Sequence, residues 1–324
     1  MVRPESFCLE SLRFALPRPL VTAHGEIRER IGSVVSLIDA EGRCGRGEAA
    51  PLPGFGLESD REAWGALERA GHALVASAGG ELDALLDLVE AATEKAPSAR
   101  GALDTALHEL AARGEGCELA AFLAQAEGRA PRARKSWTGL LHEREPRALA
   151  EETRAVVAAG CDAVKLKIAA GDDDAARVAA VREACPARVE LRLDANAGWS
   201  EAEAREALAT LARFAPSYVE QPVASVEALA RLRATSPVPL AVDESLSDPR
   251  AAAEIAARRA ADVWVLKPAV VGGLRAARRI AAAGRAAGAE IVVGGFLDGP
   301  VGAAAARALA AALPGERPPG LGPA

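Results

Sequence analysis

Between residues 164 and 267, five short apolar runs each end on a charged residue. Val164-Lys165-Leu166-Lys167 ends on Lys167, Leu191-Arg192-Leu193-Asp194 on Asp194, and Ser217-Tyr218-Val219-Glu220 on Glu220. Leu240-Ala241-Val242-Asp243 and Val263-Trp264-Val265-Leu266-Lys267 follow, ending on Asp243 and Lys267. Successive charges lie 27, 26, 23 and 24 residues apart, and an alanine-rich stretch of helical character follows each. One strand, one helix and two loops fill about 25 residues, so the spacing predicts stacked βα units. One period back, residues 136–141 (Ser-Trp-Thr138-Gly-Leu-Leu) read as a first strand. One period forward, residues 291–295 (Ile-Val-Val-Gly294-Gly295) read as a seventh. Residues 301–313 read as a helix, and the Pro/Gly-rich end leaves no room for an eighth complete unit.

The first 95 or so residues have a different rhythm. Residues 7–14 and 32–38 alternate like strands, a polar stretch (17–29) separates them, and a helical region covers about 59–94. Strands before helices predict a small α+β domain over 1–95, to which the tail at about 303–324 is expected to return, leaving 96–302 as the barrel domain. Residues 98–110 have helical spacing with Ser98 in position to cap them. The stretch Gly45-Arg46-Gly47-Glu48-Ala49-Ala50-Pro51-Leu52-Pro53-Gly54-Phe55-Gly56 is rich in turn formers with an apolar tip at Phe55, the composition of a lid or of an ordinary surface loop.

In a barrel of βα units, the C-terminal strand ends converge on one mouth, where active sites form. Three carboxylates brought together there would repel one another unless a cation neutralised them, and oxygen ligands of this kind suit Mg²⁺. Asp194, Glu220 and Asp243 are therefore the candidate metal ligands. Lys165 and Lys167 are two residues apart and share one face of their strand, about 6–7 Å apart. Each ammonium, like a nearby divalent cation, disfavours the other's charge, which is expected to lower a lysine towards the range of a general base. Lys267, four strands after Lys167, is expected on the opposite side of the mouth as a second acid/base or a cationic stabiliser. Gly294 and Gly295 end a strand and would offer backbone N–H groups to an anion, or simply make a tight turn.

Composition narrows the field. The 324 residues carry a net charge of −6 and no block rich in Lys or Arg, which gives no electrostatic case for nucleic acid. Half the chain is hydrophobic but only 3% aromatic, so the core is built of Ala, Val and Leu. No apolar run is long enough to span a membrane, and the N-terminus lacks the apolar core of a signal peptide. Five scattered cysteines without a Cys-x-x-Cys pair fit reduced thiols, and with the other features predict a soluble, cytoplasmic protein. His24, His72, His108 and His142 have no ligand spacing, and no P-loop or Gly-x-Ser-x-Gly is present.

The motifs Lys165-x-Lys167, Asp194-Ala195-Asn196, Glu220-Gln221-Pro222, Asp243-Glu244-Ser245 and Lys267-Pro268, with Gly47-Glu48-Ala49-Ala50-Pro51-Leu52-Pro53 and the helix at Ser98-Ala99-Arg100, resemble the muconate-lactonising-enzyme subgroup of the enolase superfamily. The resemblance covers nearly the whole chain. It implies a (β/α)7β TIM-like barrel with an α+β capping domain, a bound Mg²⁺ (with Mn²⁺ as a substitute), and removal of a proton next to a carboxylate of a small-molecule substrate. By position it makes Asp194, Glu220 and Asp243 the metal ligands, Lys167 the base, Lys165 its tuning partner and Lys267 the group acting from the other face. Phe55, Thr138, Asn196, Gly294 and Gly295 are the expected substrate contacts. Within the subgroup, Pro51-Leu52-Pro53-Gly54-Phe55 and Phe296-Leu297-Asp298-Gly299-Pro300-Val301-Gly302 look like the o-succinylbenzoate synthases of menaquinone biosynthesis. Dipeptide epimerases carry an Asp-x-Asp where this chain has Phe296-Leu297-Asp298, and N-succinylamino acid racemisation stays open because two lysines also support a 1,1-proton transfer.

Overall fold

The computed structural model describes residues 1–22, 25–55, 57–132, 136–169, 173–315 and 317–323. His24 and Gly56 lie outside the described residues. Two compact units make up the chain: residues 1–133, 267–279 and 295–314, and residues 134–266, 280–294 and 315–324.

The first unit begins with an antiparallel sheet of β1 (Ser6–Thr22), β2 (Gly25–Ile38) and β3 (Cys44–Ala49), in that spatial order. Residues 17–22 and 25–29, polar in sequence, belong to the β1–β2 pair, with Ala15 opposite Glu29 and Val21 opposite Glu26. Backbone pairing carries this part of the ribbon, and ion pairs such as Arg13–Glu29 at 2.8 Å line it. The turn-rich stretch hides β3. Its glycines serve packing: a Cβ on Gly45 would lie 2.0 Å from Ala106 O, and one on Gly47 1.8 Å from Ala102 O.

Helices α1 (Asp60–Ala76), α2 (Leu82–Ala92), α3 (Pro97–Gly114) and α4 (Leu119–Gln125) follow. Ser59 opens α1 with a complete capping box to Glu62. Ser98 does not cap α3, which starts at Pro97. Its hydroxyl instead donates to Glu58 Oε2 at 3.3 Å, and Glu58 Oε1 accepts from Ala99 N at 3.0 Å. Val35, Leu37, Leu67, Leu74, Leu103 and Leu107 form the heart of this core. Because α3 supplies so much of it, the compact unit runs past the expected boundary at residue 95 to residue 133.

The chain continues as β4 (Thr138–Leu141), α5 (Pro146–Ala158), β5 (Ala163–Lys167), α6 (Asp174–Ala184), β6 (Glu190–Asp194), α7 (Glu201–Leu211) and β7 (Tyr218–Glu220). Then come α8 (Val226–Arg233), β8 (Leu240–Val242), α9 (Pro249–Arg258), β9 (Val263–Leu266), α10 (Pro268–Val271), α11 (Leu274–Ala286), β10 (Glu290–Val293) and α12 (Pro300–Ala312). Strands β4 to β10 form one parallel sheet in sequential order, the signature of a curled (β/α) barrel. Tyr218, Ala241, Val263, Val265 and Val292 pack together within it.

Residues 318–321 close the curl. Gly320 bridges Gly294 in parallel and donates to Val293 O at 2.8 Å, while Leu321 O accepts from Thr138 N at 2.9 Å. Thr138 Oγ1 donates to Pro319 O at 2.6 Å and Arg192 Nη2 to Pro318 O at 2.7 Å, so the segment takes the place of an eighth strand. The tail therefore divides: α12 belongs to the first unit, and residues 315–324 belong to the barrel. Among the described residues no helix is long and apolar enough to cross a membrane.

The packing of β3 on α3 yields a stability prediction. Gly47→Ala should cost more than about 2 kcal/mol, since the added methyl meets backbone that has nowhere to move. Urea denaturation measures it; an unchanged midpoint would contradict this packing.

Candidate active site

Barrel register sets the site. Lys167 pairs with Asp194 and Asp194 with Glu220, so these three strand-end residues stand at one level. Glu220 pairs with Ala241, which places Asp243 two positions further along its strand rather than at the same depth. Asp194, Glu220 and Asp243 are all buried, at 2%, 1% and 6% exposure. Buried carboxylates crowd each other, and Lys165 answers two of them: its Nζ lies 2.8 Å from Asp194 Oδ2 and 2.6 Å from Glu220 Oε1.

The titrations follow from this arrangement. Burial opposes the charge of Lys165, but Glu220, Asp194 and Asp243 together outweigh it and hold the ammonium well above the ordinary lysine value. The lowering expected from the neighbouring lysine does not prevail at Lys165, because carboxylates, not Lys167, are its nearest charges. Burial pushes the Glu220 carboxyl well above its usual range; Lys165 opposes the shift, and Asp194 and Asp243 reinforce it. Lys167 is exposed at the end of β5.

Three carboxylates and one ammonium leave an excess of two negative charges in a buried place, when all are ionised. Their oxygens are the hard donors that Mg²⁺ takes, and a divalent cation would balance the excess, so the residues fit the ion. As the side chains stand, no three His, Cys, Asp or Glu residues among those described surround a common point. Lys165 lies between two of the carboxylates.

Two residues that the sequence reading quoted without a role, or with a different one, shape the strand ends. Gln221 is fully buried and its amide is fully engaged: Nε2 donates to Val223 O and Ser245 Oγ, both at 2.8 Å. Its Oε1 accepts from Asp243 N at 3.0 Å and Ser245 N at 3.2 Å, fixing the turn that carries Asp243. A glutamine directly after a strand-end carboxylate was the available signal. Asn196 stands in the left-handed region (φ 44°), its N–H donating to Asp194 Oδ1 at 3.0 Å and its amide to Glu244 Oε1 at 2.8 Å. The structure therefore gives Asn196 a part in orienting Asp194.

In the first unit, Lys267 is the N-cap residue of α10, and its Nζ lies 6.0 Å from the Phe296 ring centre. Phe55, 47% exposed, meets Phe296 edge to face at 6.0 Å. Asp298 Oδ2 accepts from Phe296 N at 2.9 Å. Burial pushes the Asp298 carboxyl up to about 6; the Phe296 N–H, Arg30 and Lys267 oppose this and Glu48 adds to it.

Two expected substrate contacts need correction. Thr138 pairs with Ala163, the first residue of β5, so it sits at the end of the sheet away from Lys167, with its hydroxyl committed to Pro319 O. The N–H of Gly294 is not offered to an anion: it donates to Leu266 O at 2.9 Å. Gly295 is half-buried.

Gln221→Leu strips the acceptor from two backbone N–H groups. It should cost about 1–3 kcal/mol of stability and weaken Mg²⁺ binding by about 10–100-fold, as read by denaturation and titration calorimetry. A second outcome follows from Asp298, whose folded value of about 6 stands above the ordinary carboxyl value of 3.8. Folding then holds its proton more tightly, so the ionised group lowers stability as pH rises through that window. Asp298→Asn should therefore stabilise the protein at pH 7, with the gain vanishing below about pH 4. A pH-independent difference in melting temperature would contradict this.

Comparison with known proteins agrees with this architecture. Residues 148–320 match the family model described as "Enolase C-terminal domain-like". An o-succinylbenzoate synthase of Thermobifida fusca (strain YX) is 41% identical over 168 residues, covering 51% of this chain and 52% of that protein. A muconate cycloisomerase 1 of Rhodococcus opacus is 31% identical over 97% of this chain and 82% of its own length. The match to the T. fusca enzyme thus spans about half of that relative. Among solved structures, a dipeptide epimerase from Enterococcus faecalis V583, complexed with Mg and the dipeptide L-Leu-L-Tyr, superposes with a TM-score of 0.87 at 26% identity, covering 99% of this chain and 89% of that one. Strand register, strand-end charges and these matches agree: the chain belongs to the enolase superfamily of enzymes, in its muconate-lactonising subgroup, and resembles the o-succinylbenzoate synthases.

Proposed function

We propose that this chain is an o-succinylbenzoate synthase that dehydrates the cyclohexadiene precursor of menaquinone biosynthesis, with Mg²⁺ (or Mn²⁺ in its place) held by Asp194, Glu220 and Asp243. The observation that carries the reading is the row Lys167–Asp194–Glu220 at one register level, with Lys165 between two of the buried carboxylates. When bound, the divalent cation supplies positive charge to a substrate carboxylate as its neighbouring carbon loses a proton.

Lys167 takes that proton, and an enolate forms as the C–H bond breaks. The C–O bond to the leaving hydroxyl then breaks and Lys167 returns the proton on the same face, so the products are the aromatic acid and water. Lys165 stays an ammonium among its carboxylates and holds them in place. Lys267 remains protonated and stabilises the developing negative charge. Asn196 and Gln221 keep Asp194 and Asp243 oriented.

The state of Asp298 supports dehydration over dipeptide epimerisation. The aspartate pair that holds a dipeptide's amino group is here Phe296 and Asp298, and the Asp298 carboxylate is turned onto the Phe296 N–H. Phe55 and Phe296, which meet edge to face at 6.0 Å, offer apolar contact to a carbocyclic substrate. The likeness to the E. faecalis dipeptide epimerase favours a second reading, racemisation of N-succinylamino acids or epimerisation of dipeptides by 1,1-proton transfer between Lys167 and Lys267.

A Mg²⁺-dependent assay on the cyclohexadiene precursor, with N-succinyl amino acids and Ala-Glu-type dipeptides alongside, separates the two. The synthase reading predicts fast dehydration, lost by at least about 100-fold in Lys167→Ala. Turnover of the amino acid substrates without dehydration would overturn it in favour of the racemase–epimerase reading.

A further inference from the structure

Outside the barrel, two buried charged residues of the first unit have no part in the chemistry above. Glu48, on β3, has both carboxylate oxygens turned onto the start of α12. Gly299 N donates to Oε1 at 2.5 Å, and Val301 N and Gly302 N donate to Oε2 at 3.2 and 3.0 Å. Helix α12 begins Gly299-Pro300 with no side-chain cap of its own. Its unpaired N–H groups and the positive end of its dipole are satisfied instead by a carboxylate from a distant strand. Both glycines make room for that carboxylate: a Cβ on Gly299 would lie 2.8 Å from Glu48 Oε2, and one on Gly302 3.2 Å from Glu48 Oε1.

Arg30, on β2, is 1% exposed and works from the other side. Its Nε donates to Leu297 O at 3.2 Å, its Nη1 to Pro51 O at 3.3 Å, and its Nη2 to Ala50 O. One guanidinium thus ties the segment leading to Phe55 to the segment carrying Phe296 and Asp298, and its Cζ stands 5.9 Å from the Phe296 ring centre. Glu48 holds the turn that follows, Phe55 and Phe296 meet edge to face, and Lys267 Nζ lies over the Phe296 ring.

We propose that Glu48 and Arg30 are positioning residues that set substrate selectivity by clamping the Phe55 and Phe296–Asp298 segments into a single arrangement. This rests on the reading that those segments contact the substrate. The clamp itself stands on the bonds to α12 and to the three carbonyls. Two charged residues buried in a capping sheet and spent on loop backbone rather than on solvent or substrate have this as their common effect.

Hydrogen–deuterium exchange on Glu48→Ala and Glu48→Gln, combined with steady-state kinetics on the substrates named above, tests the clamp. Glu48→Ala should speed exchange at residues 296–302 by about tenfold or more. It should also raise KM about tenfold with kcat within about threefold. Glu48→Gln, which keeps one acceptor oxygen, should recover part of the KM. Gly302→Ala crowds Glu48 without removing its charge and should shift KM in the same direction, which covers the case of a Glu48→Ala that does not fold. Faster exchange with an unchanged KM would overturn the selectivity role, and unchanged exchange would overturn the clamp. If the wild-type enzyme turns over none of the substrates, the dehydration reading fails separately. Exchange then decides the clamp: acceleration confined to residues 296–302 supports it, and acceleration throughout the first unit contradicts it.

Discussion

Asp194, Glu220 and Asp243 are buried side by side, and three carboxylates in such a place cannot all stay ionised without positive charge among them. Lys165 supplies one such charge at 2.6–2.8 Å, and Glu220 takes up part of the remaining strain as a raised proton affinity. Much else in the barrel serves this arrangement. The parallel register brings the acids to their level, Gln221 fixes the turn beneath Asp243, and Asn196 adopts a left-handed backbone to bond Asp194. The hard carboxylate oxygens gathered there fit a divalent cation.

The barrel was legible because its signal is periodic. A charge at the end of each apolar run marks both strand and mouth: Lys167, Asp194 and Glu220 end β5, β6 and β7, and Asp243 follows directly on β8. Lys267 likewise follows directly on β9. What stayed hidden depends on contacts distant in sequence. β3 is disguised by Gly45 and Gly47, which look like turn formers and are small because α3 lies against them. Thr138 lies on a strand the periodicity locates, yet which end of that strand it occupies emerges only from its pairing with Ala163. The tail gives no strand signal because Pro318 and Pro319 close the barrel through their carbonyls.

The first unit shows a different economy. Its conspicuous sequence feature, residues 45–56, has the composition of a loop, yet it supplies a strand, a capping carboxylate and two carbonyls bound by Arg30. Motif resemblance flagged the stretch; only the structure separates the residue that reaches outward, Phe55, from those that hold it.

The central claim is that Lys167, working beside the buried carboxylates, removes a proton next to a substrate carboxylate. Solvent deuterium incorporation at that carbon, followed by NMR on recovered substrate or a non-eliminating analogue with Mg²⁺ and then with chelator, tests it directly. Exchange that requires the divalent ion and disappears in Lys167→Ala is the expected result. Exchange that persists in Lys167→Ala, or that is indifferent to the chelator, would contradict the account.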